Sequence, residues 1–429
     1  MRITELLLII TLAGCVSVKN RNIVRQLDQL GEDFQEHTGF YLMDPSTNEI
    51  LVDFNGARYF TPASNTKIFT MYAALELLGE SLPGLYYKQT GDSLIFWGSG
   101  DPAFLYPLLP QGGVFQWLSN SSKKLYYSPS NFYEDAFGPG WAWDDYNYTY
   151  SVERTPFPMY GNAFVLKKKA QEAYLDTNQP YFKRHVWLGD STQEETVIVR
   201  DIGTNKTTYF PSGNMKAFEH EIPFRYDDHM ITAMLSDTLK KEVGLVFRPI
   251  PEDHSAILSI PTDSALKVMM QESDNFIAEQ LLLVCSGVLN DSLQTGSTID
   301  HAKATFMKDM PDTPIWRDGS GLSRYNLFTP RSIVWLWQQM LVRHSKERLF
   351  PLLATGGKAG TIKNYYKADP PYIFGKTGTL SNNHALSGYL VAKSGRLLVF
   401  SFMNSNYTTE SYPLKKRMEK ILWEVREKY

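Results

Sequence analysis

Three short polar motifs lie far apart in this chain, and they can act together only if the fold brings them to one place. They are Ser64-Asn65-Thr66-Lys67, Ser273-Asp274-Asn275 and Lys376-Thr377-Gly378. Each is uninformative alone. Ser121-Ser122-Lys123-Lys124 repeats the spacing of the first, Ser212-Gly213-Asn214 and Ser381-Asn382-Asn383 repeat the ends of the second, and Lys393-Ser394-Gly395 nearly repeats the third. Local context separates them. Thr61 reads as an N-cap and Pro62 as the first residue of a helix, continued by Ile68, Met71, Tyr72, Leu75 and Leu78 and ended by Gly79. Ser64 and Lys67 then share a face in its first turn, where the helix dipole favours negative charge. Ser273 falls between helical patterns at 265–270 and 276–284, and Lys376 falls in a strand-like run at 372–377.

The rest of the chain predicts helices and antiparallel hairpins in separate blocks, an α+β pattern. Helical spacing covers 26–34, 330–344 and 413–425. Strands are expected at 40–43 and 50–54 around the turn residues Asp44 to Asn48, and at 385–391 and 396–402 around Lys393-Ser394-Gly395. The stretch 85–255 is different, being rich in Tyr, Trp, Pro, Gly and Asn. It reads as a β-rich insert with strands at 94–97 and 196–199, a helix near 230–243 and no clear period over 216–224. The expected division is therefore one domain from 25–84 and 256–429, interrupted by 85–255. A chain of 429 residues has room for such a division. Its net charge of −3 lacks the basic footprint of a nucleic-acid binder.

Residues 1–15 look like an export signal, with an apolar run at 6–12 far too short to span a bilayer. Leu12-Ala13-Gly14-Cys15 looks like a bacterial lipobox, which makes Cys15 a candidate lipidation site ahead of a tether at 16–24. Glu5 is unusual in such a signal, so a plain signal peptide or an apolar first helix stays open. Cys285 lies in the apolar run 281–285 and is expected as a core thiol. No His, Cys and carboxylate cluster suggests zinc, and no cofactor is expected.

The residue types suit acyl transfer. A serine hydroxyl attacks an amide only when its proton is taken, and Lys67 can take it from Ser64 only when neutral. Burial, the helix N-terminus and the second cation, Lys376, are all expected to lower the Lys67 pKa. Ser273 can relay a proton to the leaving amine, and Asn275 can both donate to and accept from a substrate amide. Lys376, Thr377 and Thr379 can hold a carboxylate, and the backbone amides of Ser64 and Thr379 can receive an oxyanion.

This trio is shared by penicillin-binding proteins and class A β-lactamases. The chain resembles the class C low-molecular-mass penicillin-binding proteins, the D-Ala-D-Ala carboxypeptidase/endopeptidase group. Further segments carry the resemblance: Gly98 to Pro102, Gly138 to Asp145, Asp318 to Arg324, Gly360 to Asn364 and Lys376 to Leu380. Ser64 and Ser273 are 209 residues apart, which fits that group's large insert. The resemblance implies a transpeptidase-like α+β domain with an antiparallel sheet, peptidoglycan stem peptides as substrates and β-lactams as acylating inhibitors. It implies catalytic roles for Ser64, Lys67, Ser273, Asn275 and Lys376. It implies substrate binding by Thr377, Gly378 and Thr379. By analogy Asp144 or Asp145 binds the free amine of a diamino acid, although either equally suits a cap or turn after the Trp pair. His384 is expected to be structural. A lipid-anchored protein facing the periplasm follows. A β-lactamase or esterase on the same fold, and a non-catalytic envelope-binding lipoprotein, remain as alternatives.

Overall fold

The computed structural model describes residues 20–170, 175–190, 192–213 and 216–429, so the expected signal, Cys15 and residues 16–19 of the expected tether lie outside the described residues. A six-stranded antiparallel sheet organises the fold. Its order is Ala354–Thr355, Ile373–Leu380, Asn383–Val391, Leu397–Ser405, His37–Asp44 and Glu49–Phe54. The first long strand of the chain thus lies between the last strand and its own hairpin partner, with Phe40 opposite Phe402.

Both faces of this sheet are covered, which explains its long buried runs. Phe40, Leu42, Phe400 and Phe402 pack against the helices Arg21–Phe34 and Ser411–Lys428 through Leu27, Leu30, Leu414, Met418 and Leu422. The alternate residues Tyr41, Met43, Val399 and Met403 belong to the larger core on the other face. That core contains the helices Lys67–Leu77, Asn275–Asn290 and Pro330–Arg343. Cys285 is buried there as a free thiol.

The central stretch forms its own core, built largely of aromatic residues such as Phe96, Tyr127, Phe157, Phe164 and Phe182. A five-stranded sheet runs Val243–Leu245, Lys124–Ser128, Ser93–Gly98, Ser81–Thr90, Ser255–Pro261. Its two flanking strands begin and end slightly outside 85–255. Two three-stranded sheets complete the region among the described residues.

Three local expectations are corrected. The stretch without a clear period contains the strand Phe218–Pro223, which pairs with Ala163–Lys168. It is mostly exposed up to Glu221, so burial never imposed an alternating pattern on it. The helix Arg21–Phe34 begins inside the expected tether, because Ile23 is already a core residue. Thr61 does not cap a helix. A 3-10 turn spans Ala63–Thr66, and the α-helix proper runs Lys67–Leu77. Ala63 sits at φ 48°, outside helical geometry, and this forces the tight turn ahead of the helix.

Candidate active site

The tight turn presents Ser64 beside the first residue of the helix behind it. Lys67 Nζ donates to Ser64 Oγ at 3.0 Å, to Asn275 Oδ1 at 2.6 Å and to the Ser320 carbonyl at 2.7 Å. The two residues between them serve the fold. Thr66 Oγ1 returns to the Ala63 carbonyl at 2.9 Å, and Asn65 Nδ2 reaches the Lys376 carbonyl at 3.1 Å. Asn65 Oδ1 accepts from Ser387 Oγ at 2.6 Å, and Ser387 in turn accepts from Trp337 Nε1 at 2.9 Å.

Ser273 and Asn275 flank a helix cap. Asp274 Oδ1 accepts from the Ile277 N–H at 2.8 Å, which starts the helix at Asn275. Its other oxygen accepts from Tyr106 at 2.6 Å. Asn275 Nδ2 donates to the Tyr150 carbonyl at 2.8 Å, and this orients Oδ1 toward Lys67. Ser273 holds φ 64°, a left-handed conformation that non-glycine residues enter at some cost. Its hydroxyl accepts from Lys376 Nζ at 2.7 Å.

Lys376 comes from the strand Ile373–Leu380 on the near edge of the sheet. It is fully buried and also donates to the Thr377 carbonyl at 2.8 Å. Gly378 lies against the turn: a Cβ there would come within 2.5 Å of the Pro62 carbonyl and 2.8 Å of the Ser64 nitrogen. Only glycine lets the strand approach the Ser64 amide this closely. Thr377 Oγ1 contacts Thr361 Oγ1 at 2.7 Å, and Thr379 Oγ1 contacts His384 Nδ1 at 2.8 Å.

The loop from Asp318 to Ser323 supplies the third ligand of Lys67. Asp318 accepts from the backbone amides of Gly321 at 2.9 Å and Ser323 at 2.6 Å, and from Trp141 Nε1 at 2.9 Å. Glu279 accepts from the Ser320 amide at 2.7 Å and so aims the carbonyl of that residue. Arg154, itself buried, stands between Glu279 and Glu134 at 3.8 and 3.4 Å. Gly321, at φ 83°, packs so closely that a Cβ would lie 1.9 Å from the Ala63 carbonyl.

Electrostatics separate the two lysines. Burial pushes Lys67 down to about 8, against the opposing fields of Asp274, Asp318 and Glu279. Lys376 is driven well below the usual lysine range by burial and then by the charge of Lys67. The mutual repulsion expected of the pair therefore falls on Lys376, whereas three carboxylates hold Lys67 up. Burial also drives His384 down to about 3, so the ring is neutral where it meets Thr379.

Ser64 and Asn275 open into a cleft of about 750 Å³ whose walls include Asp144, Asp145, Arg324 and Thr379. Asp144 and Asp145 form the start of an exposed 3-10 turn at Trp143–Asn147, and Asp145 accepts from Tyr150 at 2.8 Å. The turn and the cleft wall are thus the same feature. The structure joins Ser64, Lys67 and Asn275 in one hydrogen-bonded set and Ser273 and Lys376 in a second, with Asn65 tying the turn to the Lys376 backbone. Sequence reasoning missed Asn65, Glu279 and Tyr150. A faint signal for Glu279 exists: it follows Asn275 by four residues and so shares its helix face.

Known proteins resemble this chain over most of its length. The model of the D-Ala-D-Ala carboxypeptidase 3 (S13) family matches residues 20–426. The chain is 24% identical over 414 residues to the D-alanyl-D-alanine carboxypeptidase DacB of Haemophilus influenzae, covering 87% of this chain and 86% of that protein. It is 25% identical over 428 residues to a D-alanyl-D-alanine carboxypeptidase of an Actinomadura species, covering 86% and 78% respectively. The crystal structure of penicillin binding protein 4 from Haemophilus influenzae superposes with a TM-score of 0.79 at 21% identity, over 94% of this chain and 99% of that one. The same protein complexed with a β-lactam gives 0.74 at 19% identity. At such identity these superpositions speak for the shared α+β fold.

Proposed function

The chain belongs to the D-Ala-D-Ala carboxypeptidase 3 (S13) family, and we propose that it is a penicillin-binding serine DD-peptidase with Ser64 as nucleophile. The observation that carries the assignment is the contact of Lys67 Nζ with Ser64 Oγ at 3.0 Å, made by a lysine whose pKa burial has brought to about 8. A neutral Lys67 takes the Ser64 proton as Oγ attacks the carbonyl between two D-residues of a murein stem or crosslink. The amides of Ser64 and Thr379 receive the oxyanion. The peptide bond breaks, and the leaving amine takes its proton through Ser273, which Lys376 holds in place. Water then hydrolyses the acyl ester and regenerates Ser64.

Asn275 positions Lys67 and the substrate amide, while Thr377, Gly378 and Thr379 line the edge where the leaving residue sits. We assign Asp144 and Asp145 to a cationic group of the stem. The presence of Arg324 in the same cleft suits a group that also carries a carboxylate, as the free end of a diamino acid does. Substrates of this kind place the enzyme at the bacterial cell envelope. No helix among the described residues is long and apolar enough to cross a membrane. Attachment through a lipid on Cys15, facing the periplasm, is the anchoring we propose. A Cys15→Ala variant that still incorporates labelled fatty acid would refute it.

Labelling with a fluorescent penicillin tests the nucleophile. Wild type is expected to carry one stable adduct by intact mass, and Ser64→Ala none. Equal labelling of both proteins would sink the assignment. Rapid turnover of the penicillin without a lasting adduct would favour a β-lactamase instead, and absence of any adduct would favour a non-catalytic binding protein.

A further inference from the structure

One buried arginine stands behind both carboxylates that fix the loop holding Lys67. Arg154 comes from the aromatic-rich central stretch, and its side chain is 1% exposed. Its Nη1 donates to Thr295 Oγ1 at 3.1 Å and stands 3.8 Å from Glu279 Oε2, while Nη2 lies 3.4 Å from Glu134 Oε1. Glu279 Oε1 accepts from the Ser320 N–H at 2.7 Å, and the carbonyl of the same residue accepts from Lys67 Nζ at 2.7 Å. Glu279 Oε2 makes no hydrogen bond among the described residues, so Arg154 is the group that meets its charge. The Arg154 guanidinium also lies 5.6 Å from the centre of the Trp141 ring, and Trp141 Nε1 donates to Asp318. Asp318 in turn accepts from the amides of Gly321 and Ser323. Glu279 therefore has Arg154 behind it directly, and Asp318 has it through Trp141.

Burial, and then the like charge of Asp318, push the Glu279 carboxyl well above the usual carboxylate range, and Arg154 acts in the opposite direction. A buried carboxylate stripped of its counter-charge takes up a proton in preference to staying ionised. The charged groups that face Glu279 are Arg154 from the central stretch, Asp318 from the loop and Lys67 from the helix Lys67–Leu77. Lys67 is faced in addition by Asp274 of the helix cap and Lys376 of the strand. We propose that Arg154 is a positioning residue for Lys67, supplying the charge that keeps Glu279 an anion on the Ser320 amide. The proposal rests on the reading of Ser64 as nucleophile and Lys67 as its base. With Arg154 in place, Glu279 gives Lys67 two things: a field that favours its ammonium form, and an acceptor that aims the Ser320 carbonyl at it. The central stretch thereby helps to set the pH at which Ser64 becomes reactive.

The pH dependence of penicillin acylation, measured on the full chain, tests this. Arg154→Met is expected to let Glu279 take a proton. The field favouring the Lys67 ammonium is then lost, and the acylation midpoint falls by about half a pH unit or more. Glu279→Gln removes the same charge while its amide oxygen can still accept the Ser320 N–H, so it should move the midpoint in the same direction. Because the arginine acts through the carboxylate, the double variant Arg154→Met/Glu279→Gln should have the midpoint of Glu279→Gln alone. A midpoint that rises or stays put in Arg154→Met overturns the inference, whatever happens to stability. So does a double variant whose shift is the sum of the two single shifts. Arg154→Met leaves two carboxylates short of a partner; if it fails to fold, the double variant, with one buried charge fewer, decides the matter against Glu279→Gln. Wild type that forms no penicillin adduct would overturn the Ser64 reading and this inference together, whereas normal acylation with an unmoved midpoint overturns the inference alone.

Discussion

Asn65 donates to the carbonyl of Lys376 at 3.1 Å, joining the residue after Ser64 to the lysine of the facing strand. The same side chain accepts from Ser387 on the next strand, so one buried amide ties the turn to two strands of the sheet. Asn65→Ala would leave a buried carbonyl and a buried hydroxyl short of partners. It is expected to cost about 2–3 kcal/mol of stability, read by urea unfolding, and to slow penicillin acylation because Ser64 and Lys376 lose their common brace. Unchanged unfolding would show that the amide is only space-filling.

Acylation should depend on pH through Lys67. The base works when neutral, so the second-order rate of penicillin acylation rises with pH and is half-maximal near 8. Two units below that midpoint the rate should be down about a hundredfold. Asp274 exerts the largest carboxylate field on Lys67, and it favours the ammonium form. Asp274→Asn keeps the helix cap while removing that charge. The midpoint of its profile is expected to move to lower pH with a similar plateau. A shift to higher pH would contradict the electrostatic account of Lys67.

Gly321 has no room for a side chain. Alanine there must enter a positive φ and meet the Ala63 carbonyl at 1.9 Å. Gly321→Ala is expected to destabilise the protein by about 3 kcal/mol and to reduce acylation by tenfold or more, as the Ser320 carbonyl is displaced from Lys67. Wild-type stability and acylation together would mean that the loop and the turn can separate freely.

Asp144 stands exposed and Asp145 half-buried on the cleft wall, so water screens much of what they bind. Replacing both by Ala should lower kcat/KM by about fivefold for a stem peptide with a free side-chain amine. An N-acetylated analogue and the penicillin acylation rate should be unaffected. Equal losses on both peptides would point to the turn, not the charges.

The main-sheet strands were legible as apolar runs bounded by turn residues, and the helix on the sheet by its helical period. This holds for 40–43, 50–54, 385–391 and 330–344. Ser64, Lys67, Ser273, Asn275 and Lys376 were legible as candidates because few chemistries need those types in that order. Their neighbours were not. Asn65 acquires its function from residues 311 and 322 positions away, and Glu279 from a loop carbonyl it never touches directly. The helix start was misplaced because Thr61-Pro62 carries good capping chemistry, while the left-handed Ala63 packs against Gly321 and its neighbours Pro62 and Ser64 against Gly378, contacts far off in sequence.

The strand His37–Asp44 hydrogen-bonds to Leu397–Ser405, so segments more than 350 residues apart in sequence are neighbours in the sheet. Contacts of such high contact order form slowly, since a long loop must close before they reward it. Ser64 is translated early, but the Lys376 that faces it and the strands that hold Lys376 are translated near the end. A chain lacking residues 373–405 therefore carries Ser64 without the strand that packs against its turn. Order of assembly is thereby built into the topology: residues 373–405 must be paired before the turn at 62–66 has its neighbours.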